Sequence, residues 1–172
     1  VRGELYPEDV LIPAAALRTY LDELGLPAHD VHLDRARIGR LAIGAIEAMG
    51  DEDLAAAAGA PPSAVRALRG ARTLTEAREI GRQITSPAPA ALPEEARSTL
   101  ERFVELRERA PDHLDEAGAR AIIRELKAVG GDLRSLRLAL TGEPRGPELW
   151  TVVLALAPGE ALERVRRSTR RP

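Results

Sequence analysis

No stretch of this chain alternates apolar and polar residues for more than a few positions, whereas apolar residues spaced three and four apart recur throughout. A helix of 3.6 residues per turn returns every third or fourth side chain to one face, so this periodicity is that of amphipathic helices packing on one another. The periodic runs are bracketed by start and stop residues. Pro13 stands where the first turn of a helix tolerates proline, and Gly25 stands where a helix over 13–24 would end. Asp34 precedes a run in which Ile38, Leu41, Ala42, Ala45 and Met49 form one stripe, and Gly50 follows it. Asp51 and Pro62 open two short segments, to Ala58 and Arg69. Thr73 and Glu76 have capping-box spacing at the head of a helix over 74–84. Further helices are expected over 93–109, 115–129, 132–140, 147–157 and 159–167. The expected fold is all-α: nine or ten short helices held by mutual packing rather than by propensity.

The least periodic internal stretch is 85–91, TSPAPAA, with two prolines. It reads as the principal linker between an N-terminal helical lobe, 1–86, and a C-terminal helical lobe, 87–172. With 172 residues the chain can bury a core without staples. Aromatic residues are only 2%, so the core has to be built from Ala, Leu, Val and Ile. The chain has no Cys, which excludes disulfides and thiolate metal sites. No apolar run approaches the ~18 residues that span a bilayer, and no signal-peptide pattern is present, so a cytoplasmic protein without a membrane partner is expected.

The net charge of −2 hides a gradient. Residues 1–60 hold 5 Arg against 11 Asp and Glu, whereas residues 120–172 hold 11 basic groups against 6 acidic ones. Of the basic residues 24 are Arg and one is Lys, as a GC-rich coding sequence would produce, so the gradient alone does not select a nucleic-acid partner.

The most specific segment is 133–165, LRSLRLALTGEPRGPELWTVVLALAPGEALERV. A helix ends at a Thr-Gly turn, a polar loop follows, and Gly-Pro opens the next helix. This resembles the closing signature of bacterial-type glutamyl-tRNA synthetases, in which a basic residue precedes an Ala-Leu-Thr-Gly turn and a small residue plus Pro leads into a Leu-rich helix. Upstream, LDRARIGRLAIGAIEAMGDEDLA and VRALRGARTLTEAREI resemble that family's Asp-initiated helix and its Arg-rich segment. Where the family has Trp-Leu-Asn in the first long helix, this chain has Gly39, Arg40 and Leu41. The resemblance covers roughly 30–168 and implies the C-terminal, helical, anticodon-binding part of a class I aminoacyl-tRNA synthetase.

The residues of that segment suit an RNA loop. Readers of single-stranded RNA use Arg planes, apolar platforms and base-edge hydrogen bonds. Arg137 offers a planar fork of donors, and the Thr141–Gly142 turn allows close backbone approach. Gly146 and Pro147 lead into a helix start with free N–H groups, and Pro147 and Leu149 offer an apolar face. The resemblance implies that these six positions contact the anticodon of a glutamate-accepting tRNA. It also suggests Arg66, Arg69 and Arg72 as further tRNA contacts, with Arg66 and Arg69 on one helical face. The Arg164, Arg166, Arg167, Arg170 and Arg171 tail reads as a solvated end.

No catalytic residue is expected. The family's His-x-Gly-His-like motif and its Lys-containing loop are missing, and the one Lys, Lys127, lies inside an expected helix. ATP and Mg are expected only in a catalytic domain outside this chain, which would be its covalent or assembled partner in a glutamate–tRNA ligase. His29 and His32, beside Asp30 and Asp34, have helix-face spacing, but they sit in an expected connector and no metal is assigned to them. Because the sequence starts at Val1, an excised domain, a trimmed chain and a GTG start are all compatible with it. Two other functions stay open: a stand-alone truncated relative that binds tRNA or protein, and a helical protein-interaction module without RNA binding.

Overall fold

Four helices start at a side chain that accepts an N–H from the first turn, which has no carbonyl partner of its own. Asp34 takes the N–H of Arg37, Thr73 that of Glu76, Asp115 that of Gly118, and Asp132 those of Arg134 and Ser135. These caps fix the frame of the computed structural model, which describes residues 11–25 and 33–169. The architecture is all-α, with ten α-helices and no strand among the described residues. They are α1 (Ala14–Leu24), α2 (Arg35–Ala48), α3 (Asp51–Ala58), α4 (Val65–Leu68), α5 (Leu74–Thr85), α6 (Arg97–Arg109), α7 (Glu116–Ala128), α8 (Leu133–Thr141), α9 (Leu149–Ala155) and α10 (Pro158–Thr169). Short 3₁₀ turns, Pro62–Ala64 and Glu94–Ala96, lead into α4 and α6.

Most expected boundaries fall within two residues of the observed ones, and two differ in a way that matters. Pro62 starts a 3₁₀ turn, so α4 is a single turn and Arg69 already lies beyond its end. The helix expected from Pro147 begins at Leu149, because Glu148 is extended (φ −55°, ψ 132°) and caps it from outside.

One apolar cluster joins helices on both sides of the 86–93 connection. Leu54, Leu68 and Ile84 belong to it, as do Phe103, Leu126, Leu136 and Val152. In contact terms α3 packs on α5, α7 on α9, α10 on α6 and α8, and α4 on α9. The α1–α2 pair stands apart. Ala16, Tyr20, Ile38 and Ala42 are buried but lie outside that cluster, while Ile46 belongs to it. The Tyr20 hydroxyl accepts the N–H of Asp34 at 2.7 Å, while Leu11 accepts the Leu74 N–H on its carbonyl and donates its own N–H to the Thr75 hydroxyl.

The connection itself is pinned. Gly142 ends α8 with φ +74°, and a Cβ there would fall 2.4 Å from the Ala88 carbonyl oxygen. Only glycine permits both the left-handed turn and the backbone laid across it. Beside it, Arg164 of α10 is 6% exposed and donates to the carbonyls of Leu140 and Ile84 and to the Glu160 carboxylate. That guanidinium satisfies the C-terminal ends of α8 and α5 together, so it is a buried brace rather than part of a solvated tail.

Candidate nucleic-acid interface

Helix α8 presents Arg134, exposed, and Arg137, half-buried, one turn apart. Residues 143–147 then fold back beside them. Arg137 Nη1 donates to the Pro147 carbonyl, so the guanidinium holds the loop against its own helix. Burial draws the Arg137 pKa below the ordinary arginine value, but the fork stays charged. Arg145 is exposed at the tip of this loop.

Across from the loop lies the Gly70 turn, and between them is a cleft of about 330 Å³ floored by α5. Arg145, Gly146 and Pro147 form one wall, Ala67 and Gly70 the other. Glu76, Glu79 and Gln83 lie on the floor, where Glu79 already accepts from Arg82 and Gln83, and Glu76 from the Arg72 N–H. Gln83 is 7% exposed; its amide N–H reaches Glu79 at 3.1 Å, and its Oε1 has no partner. Gly146 has φ +153°, and a Cβ on it would lie 2.7 Å from that oxygen. Glycine is favoured at this wall by conformation, and a Cβ there would push the tip of the Gln83 side chain aside. The Glu79 carboxyl is held below its usual range, chiefly by the Arg82 guanidinium at 2.6 Å.

The expected contact residues divide clearly. Arg137, Gly146 and Pro147 come together at this cleft and its rim. Thr141 and Leu149 do not. Thr141 is 1% exposed, and its hydroxyl is used by the Arg137 carbonyl and the Glu143 backbone. Leu149 is 6% exposed in the apolar core, so it offers no platform to a base. Gly142 is covered by Ala88.

The three upstream arginines also separate. Arg66 pairs with Glu116 of α7 at 2.7 Å. Arg69 donates to the carbonyls of Ile46, Glu47 and Met49 and to Asp51, which caps the C-terminal end of α2. Their side chains go to different elements, Arg66 to α7 and Arg69 to the end of α2. Arg72 is exposed and lies 3.7 Å from Glu76. The residues missed from sequence are Arg145, visible there only as one charge in a polar loop, and Gln83, whose role depends on two segments meeting. His29, His32, Arg170 and Arg171 lie outside the described residues. Among the described residues no group of three or more His, Asp or Glu is placed to hold a metal ion.

No family model matches the chain, and no curated protein matches it. No helix among the described residues is long and apolar enough to cross a membrane.

Proposed function

We propose that this chain is an RNA-binding module that reads the anticodon loop of a glutamate-accepting tRNA on behalf of a synthetase catalytic domain. The observation that carries the reading is the cleft between the Gly70 turn and the Arg145–Pro147 loop. Acceptors on its floor suit a base bearing an exocyclic amino group, as carboxylate and amide oxygens do when they accept from cytosine or adenine. Arg134 and Arg145 on the outer side suit phosphates, which give affinity without sequence preference. The likeness of residues 133–165 to the synthetase signature supplies the identity of the tRNA.

A second reading, a helical protein-interaction module, is favoured by one observation: Arg66, Arg69 and Arg72 all lie within 4 Å of carboxylates of this chain. One titration separates the two. Wild type, Arg137→Ala and Arg145→Ala are titrated at fixed salt against a glutamate-tRNA anticodon stem-loop and anticodon-swapped versions. Arg137→Ala should weaken the matched stem-loop by roughly tenfold or more and flatten the preference, on the scale of one good bidentate base contact. Arg145→Ala should weaken every stem-loop alike and reduce the salt slope by about one. Equal binding of all stem-loops by wild type, or none, sinks the anticodon reading. Circular dichroism of each variant guards against an unfolded loop.

A further inference from the structure

Helix α7 segregates its charges. Residues three and four apart on a helix share a face, so Arg120, Arg124 and Lys127 form one row along it. All three are exposed. Glu125 lies on the other flank, 3.5 Å from Arg102 of α6. The carboxylate at the head of the row, Glu116, is shared between Arg66 and Arg120, at 2.7 and 3.0 Å. Arg124 and Lys127 have no ion-pair partner among the described residues.

The row begins beside the cleft. Trp150 lies in the first turn of α9, three residues after the cleft wall at Pro147, and the Arg120 guanidinium sits 3.9 Å from its ring centroid. The indole N–H is donated to Glu148, so the ring and the guanidinium over it are tied to the start of α9. At the other wall, Ala67 is preceded by Arg66, which reaches Glu116 at the head of the same row. From that corner the row continues along α7 to Lys127, about 10 Å of helix rise beyond Arg120.

A line of exposed cations matches a polymer that carries negative charge every few ångströms, as a nucleic-acid strand does. A free monovalent anion would meet one solvated cation at a time and gain little. We propose that the Arg120, Arg124 and Lys127 row is a backbone-binding surface for the RNA that enters the cleft, holding phosphates of the strand that flanks the unpaired loop. The proposal rests on the reading of the chain as RNA-binding, but not on which anticodon is selected. Phosphate contacts set affinity and orientation, whereas base contacts set sequence.

The test titrates the whole chain, at 50 and 200 mM salt, with a glutamate-tRNA anticodon stem-loop, anticodon-swapped versions, and the loop sequence as a free strand without its stem. Arg124→Gln/Lys127→Gln removes two exposed charges that have no partner in the fold. Arg18→Gln/Arg40→Gln, on α1 and α2, removes the same charge from exposed positions elsewhere. Between the two salt concentrations, wild-type affinity for the stem-loop should fall about tenfold further than that of the α7 variant, as two phosphate contacts imply. The effect should be the same for every anticodon, the free loop strand should bind wild type and the α7 variant alike, and the α1–α2 variant should keep the wild-type salt dependence. A salt dependence unchanged in the α7 variant overturns the proposal and leaves the anticodon reading intact. Equal binding of all anticodons with the α7 effect present removes the anticodon reading and leaves the row. Equal effects of the two double variants overturn the proposal, because net charge alone would then explain the attraction. Polyglutamate that binds as tightly as the stem-loop, and loses as much in the α7 variant, also overturns it and assigns the row to an acidic protein. No binding of any stem-loop overturns both.

Discussion

Arg164 and Arg69 show how an arginine-rich chain uses guanidinium groups as structural parts. Each caps the last turn of a helix that is not its own, by donating to carbonyls there. Arg164→Leu keeps an apolar side chain in place of the stem but strands the carbonyls of Leu140 and Ile84. The expected loss is about 2–4 kcal/mol, from buried acceptors left unpaired, read as a shift of the urea midpoint with an unchanged slope. A lysine has one point charge and cannot reach three acceptors in a plane, so Arg164→Lys should recover only part of that loss. Glycine gives a matched pair. Gly142 and Gly130 both have φ near +73°, at +74° and +72°, but a Cβ meets the Ala88 backbone at Gly142 and open space at Gly130. Gly130→Ala should cost about 1 kcal/mol for the left-handed turn, whereas Gly142→Ala should cost clearly more because backbone must move. Equal losses in chemical denaturation would show that the Ala88 contact is soft.

At the scale of helices, the caps make a pH prediction. The Asp132 carboxyl is held below its usual range, first by the Ser135 side chain and then by backbone N–H groups at the start of α8. A depressed folded-state pKa stabilises the fold above the unfolded value and loses that stabilisation as pH falls through the folded value. Asp132→Ala should therefore cost about 1 kcal/mol near pH 7, and the gap to wild type should begin to narrow below about pH 4, near the unfolded carboxyl pKa, and go on shrinking as pH falls through the lower folded value. Urea midpoints at both pH values check it. These caps are also why the helices were legible in the sequence: Asp34, Thr73, Asp115 and Asp132 act through neighbours two or three residues away. The functional surface was less legible because its parts are remote in sequence. Leu149 turns inward with Val152, Val153 and Leu156, an i, i+3, i+4, i+7 stripe that the sequence carries and that reading Leu149 as a base platform passes over. Gln83 and Gly146 become a wall and floor only once α5 and the 143–147 loop meet.

For the whole molecule, the apolar cluster crossing the 86–93 connection predicts that the described residues from α3 onward unfold together. Trp150, stacked under Arg120 at 3.9 Å between α7 and α9, provides a local probe. Its fluorescence and the far-UV circular dichroism should give coincident main transitions. The α1–α2 pair, whose buried residues pack mostly on each other, should open first, because local opening follows the number of buried apolar contacts shared with the rest. Amide exchange should then be faster in α1 and the first half of α2 than in α5, α8 or α10. Uniform protection across all ten helices would contradict the division.

The Arg164 brace also sets an order in time. The carbonyls of Ile84 and Leu140 are synthesised well before the side chain that satisfies them. Chains grow from the N-terminus at about 5–20 residues per second, so a nascent chain carries α5 and α8 with open ends for seconds until α10 emerges. During that interval the two ends and the hollow awaiting α10 are exposed to other chains and to chaperones. A ribosome stalled between Leu156 and Arg164 would leave the nine earlier helices of the described residues synthesised and the clasp still missing.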